Sequence, residues 1–89
     1  MKFLPKLREF LSEHEIIYTV RGYDMKAATV NVGGVGRCRR TPLGKTRTRE
    51  ELSPYVHLSG FESLKDWCDK INEFIVPNGD KWLYKVEVL

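Results

Sequence analysis

Between Ser63 and Leu89 the spacing of apolar residues changes once, and that change constrains the fold more than any other feature of the chain. Leu64, Trp67, Cys68, Ile71, Phe74 and Ile75 recur every three or four positions, the period of one face of a helix. Ser63, with Asp66 three residues later, resembles a capping box in which Asp replaces the usual Glu or Gln. Pro77, Asn78 and Gly79 stop that helix. Trp82, Tyr84, Val86 and Val88 then alternate with Leu83, Lys85, Glu87 and Leu89, the period of a strand. A helix with one apolar stripe must bury it against another layer, so the helix is expected to pack on a sheet that contains the last strand.

The remaining elements follow the same logic. Pro5 suits a first helical turn, and Leu4, Leu7, Phe10 and Leu11 share one side, which predicts a helix from about residue 5 to residue 13. Ile16 to Val20 is β-branched or aromatic throughout and predicts a strand running into Arg21, after which Gly22 and Asp24 turn the chain. Ala27 to Val32 predicts a second strand and Val35 to Arg39 a third, with a tight turn at Gly33 and Gly34. Thr41 to Thr48 holds Pro42 and Gly44 without an apolar period, so an exposed, mobile loop is expected there. Thr48 and Glu51 suggest one capped helical turn that Pro54 ends.

This order is not the strict strand–helix alternation of a parallel doubly wound sheet. It predicts an α+β fold: a small, curved, mostly antiparallel sheet or partial β-barrel flanked by two helices. With 89 residues, a domain of this size buries only ~60 to 65% of its unfolded surface, so one domain over residues 1–89 is expected, with a modest core.

Charge is distributed unevenly. Arg21, Lys26, Arg37, Arg39, Arg40, Lys45, Arg47 and Arg49 stand between residues 21 and 49 against Asp24 alone, whereas from residue 50 onward four lysines face eight carboxylates. A cationic segment of this kind is directed at a polyanion. Strand alternation sends Arg37 and Arg39 to one face and Arg40 to the other, and guanidinium groups pair bidentately with phosphate. Tyr18 and Tyr23 are candidates to stack on unpaired bases.

Other chemistry is poorly supplied. Gly44, Lys45 and Thr46 match the end of a phosphate-binding loop, but Arg39 occupies the place of its first glycine; Gly33, Gly34 and Gly36 miss a dinucleotide fingerprint at the same residue. His14, His57, Cys38 and Cys68 lack the paired spacing of a zinc site, so no metal is expected, and no cofactor either. Arg37, Arg39 and Arg40 would favour a thiolate at Cys38, but no base lies near it in sequence, and Cys68 belongs to the apolar stripe. Two cysteines 30 positions apart point to a reducing compartment, the cytoplasm, and no run of 18 apolar residues suggests a membrane span.

Residues 59 to 89 carry Gly60, Phe61, Ser63, the Trp67 helix and a closing strand from Leu83 to Val88, and this run resembles the C-terminal half of the ASCH family, within the wider PUA-like superfold. Val35 to Arg40 with Pro42, Leu43 and Gly44 resembles the family's central strand and following loop, and Thr19, Val20 and Arg21 its Thr-x-Arg element. The resemblance implies a small β-barrel flanked by helices, with a cleft suited to RNA or a nucleotide-like ligand. Some members resemble amidohydrolases of acylated cytidine, which rely on a Lys three residues before the Thr and often hold a carboxylate before the Gly-Phe pair. Those positions are Ile16 and Ser59 here, and a strand before the first helix is missing as well.

The expectation is therefore a monomeric nucleic-acid-binding module with no catalytic residue, for RNA first and DNA second, using the eight cations above with Tyr18 and Tyr23 around a cleft that holds Thr19. The alternatives are a hydrolase of a modified nucleoside with Thr19 as nucleophile, and an interaction module for an acidic protein.

Overall fold

The computed structural model describes residues 1–89. In chain order it contains α1 (Pro5–His14), β1 (Ile16–Arg21), β2 (Ala28–Val32), β3 (Gly36–Thr46), a 3-10 helix (Arg49–Leu58), α2 (Leu64–Phe74) and β4 (Lys81–Val88). Pro5 opens α1, and the helix closes at Glu15, whose left-handed backbone (φ 64°) lets its N–H donate to the Leu11 carbonyl at 2.8 Å and turns the chain straight into β1. Ser63 caps α2 as expected, its hydroxyl accepting from the Asp66 N–H at 3.1 Å.

All four strands form one antiparallel sheet in the order β1–β4–β3–β2, so the last strand of the chain becomes a central one. The sheet does not close on itself. The fold is thus the expected small α+β arrangement, with β1 and β2 as open edges.

Two expectations need correction. Thr41 to Thr46 is not a mobile loop but the second half of β3, paired with β4 from Thr41↔Lys85 to Thr46↔Lys81. The pairing shifts between Pro42 and Gly44, leaving Leu43 as the extra residue of a bulge. Its side chains are exposed or half-buried, so this stretch shows no apolar period although β4 fixes its backbone. Pro42 is tolerated because β2 ends opposite Arg40, which leaves one edge of β3 free beyond it. The expected single turn after Thr48 is a 3-10 helix of ten residues that runs past Pro54. Glu51 reaches back to accept from the Thr48 N–H at 2.9 Å and from the Arg47 N–H.

The register assigns side chains to two faces. Ile17, Thr19, Arg21, Val30, Val32, Cys38, Arg40, Tyr84 and Val86 lie on the first, and α1 covers it, with Leu11 buried against Ile17, Val32, Cys38 and Val86. Tyr18, Val20, Thr29, Asn31, Arg37, Arg39, Thr41, Leu83, Lys85 and Glu87 lie on the second. There the 3-10 helix and α2 bury Val20 and Leu83 under Leu52, Trp67 and Ile71. That cover reaches only one end of the second face.

Candidate nucleic-acid interface

The eight cations form three groups. Arg21 and Arg40 share the first face and are turned toward the protein's own backbone. Arg40 donates from Nε and Nη2 to the Lys26 carbonyl at 3.1 and 3.0 Å and from Nη1 to the Met25 sulfur at 3.2 Å. Arg21 donates from Nη2 to the Lys2 carbonyl at 2.9 Å and from Nε to the Thr19 hydroxyl at 3.3 Å, with its guanidinium over the Phe3 ring. Burial lowers the Arg21 pKa, and the neighbouring Arg40 lowers it further against the opposing pull of Tyr23 and Tyr84. The buried Tyr84 completes this arrangement: its hydroxyl accepts from the Met25 N–H at 2.6 Å and donates to the Tyr23 carbonyl at 2.8 Å. Arg40 and Tyr84 thereby pin the 22–27 loop to the sheet, Arg21 ties the N-terminal segment at Lys2 to β1, and Lys26 lies on that loop with its own side chain exposed.

Arg37 and Arg39 form the second group, on the uncovered end of the second face. Both are exposed, and neither has an ion pair or a side-chain hydrogen bond. The register sets Arg39 beside Glu87 and Thr29, and Arg37 beside Asn31. Lys85, opposite Tyr18 and Thr41, pairs with Glu87 at 3.3 Å. No side chain on this end of the sheet is buried. Tyr18 borders it and meets Tyr55 of the 3-10 helix edge-on at 4.8 Å between ring centroids, with the His57 ring 6.3 Å from Tyr18.

Lys45, Arg47 and Arg49 form the third group, where β3 leads into the 3-10 helix. Arg39 and Lys45 are six residues apart on one strand, ~20 Å at the usual rise, so the second and third groups are separate patches. Gly44 to Thr46 is strand here, which removes the resemblance to a phosphate-cradling loop.

Tyr23 is 60% exposed but rides the 22–27 loop outside the sheet, so of the two candidate stacking residues only Tyr18 shares a sheet face with the free arginines. Thr19 is buried, and with Arg21 it lines a cleft of about 440 Å³ whose walls include Phe3, Leu7, Trp67 and Phe74. Its hydroxyl accepts from Arg21 and is bonded to no carboxylate, lysine or histidine. Ser59 is almost fully buried and occupied within its turn, donating to the Val56 carbonyl at 2.8 Å and accepting from the Phe61 N–H at 3.1 Å.

Sequence reasoning missed Lys85, Tyr55 and His57. The alternation of β4 places Lys85 opposite to Tyr84 and was a sufficient signal for it. Nothing local marked Tyr55 or His57, since they reach the sheet only through a 3-10 helix that Pro54 argued against. No helix is long and apolar enough to cross a membrane, and no three His, Cys, Asp or Glu side chains are grouped to hold a metal ion. No family model matches the chain, and no curated protein or solved structure matches it.

Proposed function

We propose that the uncovered end of the second sheet face binds single-stranded nucleic acid, RNA before DNA. The observation that carries this reading is the juxtaposition, on one open surface, of Arg37, Arg39 and Lys85 with the Tyr18–Tyr55 pair. Unpaired bases present flat faces that stack on aromatic rings, and an open antiparallel sheet offers such a platform beside cations that meet phosphates. Thr29, Asn31 and Thr41 supply hydroxyl and amide groups for the ribose 2′-OH, the group that separates RNA from DNA. The resemblance to ASCH proteins agrees with this reading, which takes the protein to be a cytoplasmic monomer.

The test is a titration of wild type, an Arg37→Ala/Arg39→Ala variant and Tyr18→Leu against single-stranded and duplex RNA and single-stranded DNA at several salt concentrations. Two phosphate contacts, from the unpaired Arg37 and Arg39, give a log–log salt slope of about −1.4 for single strands. The double variant should weaken binding to all sequences alike and flatten that slope, since phosphate contacts carry no sequence information. Loss of stacking at Tyr18 should cost ~1 to 3 kcal/mol, little of it sensitive to salt. Unchanged affinity and slope in the double variant would overturn the assignment. Equal affinity for polyglutamate would convert the surface into one for an acidic protein.

A further inference from the structure

The third group of cations borders a groove of about 540 Å³, within the range of small-ligand sites and apart from the sheet surface above. Its walls are the end of β3, the start of the 3-10 helix, the second half of α2 and the turn from Pro77 to Asp80. The buried side chains of Leu52 and Ile71 lie at its base together with the half-buried Cys68. Lys45, Arg47, Arg49 and Lys81 contribute positive charge along its lining and Asp80 one carboxylate, and Asn72 and Asn78 contribute amides.

These four cations are not equivalent. Lys45 pairs with Asp80 at 3.1 Å, and the Lys81 ammonium donates to the Pro77 and Gly79 carbonyls at 3.1 and 3.0 Å. Both lysines therefore hold the 77–80 turn in place, so the wall is built before any ligand arrives. Arg47 and Arg49 have no ion pair and no side-chain hydrogen bond. The Glu51 carboxylate bonds to the backbone N–H of Arg47, leaving its guanidinium free.

Two free guanidinium groups beside an apolar base match a ligand with a dianionic head and a flat, weakly polar body. A phosphate monoester has that charge, and a phosphodiester in a passing strand carries only half of it. We propose that this groove is a second, independent site that takes a phosphate monoester of nucleotide size, with the phosphate between Arg47 and Arg49 and the base against Leu52, Cys68 and Ile71.

Calorimetric titration with adenosine 5′-monophosphate, adenosine and inorganic phosphate tests it. The monophosphate should bind saturably, at least tenfold more tightly than either of the other two. Arg47→Ala/Arg49→Ala should weaken it at least tenfold; both side chains are exposed, and an unchanged melting temperature would certify the fold. Arg37→Ala/Arg39→Ala should leave it unaltered while reducing RNA binding, so the two sites can fail separately. A 5′-phosphorylated triadenylate compared with its 5′-hydroxyl form distinguishes a strand terminus from a free nucleotide as the source. No saturable binding, undiminished affinity in the Arg47/Arg49 variant, or inorganic phosphate binding as well as the nucleotide would overturn the proposal.

Discussion

Arg39 and Arg40 are consecutive residues of one strand, and they have opposite occupations. Arg40 points into the first face and uses three of its nitrogens on the loop from Tyr23 to Lys26, whereas Arg39 points out of the second face and binds nothing. Two guanidinium groups of identical chemistry thus become a fastener and a free anchor because a strand turns successive side chains through half a revolution. A count of positive charge overstates what is available to a polyanion, since Arg21, Arg40, Lys45 and Lys81 are all engaged within the protein.

The two ends of the second face differ in a related way, and the largest expected effect tests that difference. Trp67 is 3% exposed in the layer that covers Val20 and Leu83. Trp67→Ala should cost ~3 to 5 kcal/mol, a large part of the stability of a domain this small, measured by urea unfolding. A loss below 1 kcal/mol would mean that the cover contributes little and that the two ends are alike.

The next effect concerns the fastening of the loop. Tyr84→Phe removes a hydroxyl that serves the Met25 N–H and the Tyr23 carbonyl, and should cost ~1 to 3 kcal/mol. Arg40→Ala should cost about 1 kcal/mol and speed hydrogen exchange in residues 22–27. If exchange there were unchanged in both variants, Arg40 would not be a fastener.

Burial raises the pKa of both Tyr84 and Cys38, so the folded state holds their protons to higher pH than the unfolded chain does. Their contribution is complete below the unfolded values, roughly 8.5 for a thiol and 10 for a phenol, and is lost as pH rises through the raised folded values. Stability should therefore decline on the alkaline side, and Cys38→Ala with Tyr84→Phe should flatten that decline. The acid side depends on Glu51, whose pKa is lowered by its bonds to the Thr48 and Arg47 N–H groups; its contribution is present above the ordinary carboxylate range and is lost as pH falls through the lowered value.

The smallest effect sharpens the comparison most. Arg39→Ala should change stability by no more than about 0.5 kcal/mol, as expected of an exposed side chain without partners. A cost as large as that of Arg40→Ala would remove the distinction between the two arginines.

Much of the fold was legible because its signals are local. The α2 stripe, the Ser63 cap, the turn at Pro77 to Gly79 and the alternation of β4 each lie within a few residues of one another, and so does the alternation that separates Arg37 and Arg39 from Arg40. The second half of β3 was not legible because it carries no apolar period, and its strand geometry comes from hydrogen bonds to β4, about 40 residues later in the chain. The candidate site divides along the same line. The sequence alone determined which arginines share a face of β3. Only tertiary structure decided that Arg40 is committed to the Lys26 carbonyl, that Tyr18 rather than Tyr23 shares a sheet face with the free arginines, and that Tyr55 packs on Tyr18 at the border of that face. Such contacts join residues distant in sequence, and the packing of helices over one end of a sheet, not any local pattern, selects which side chains remain free.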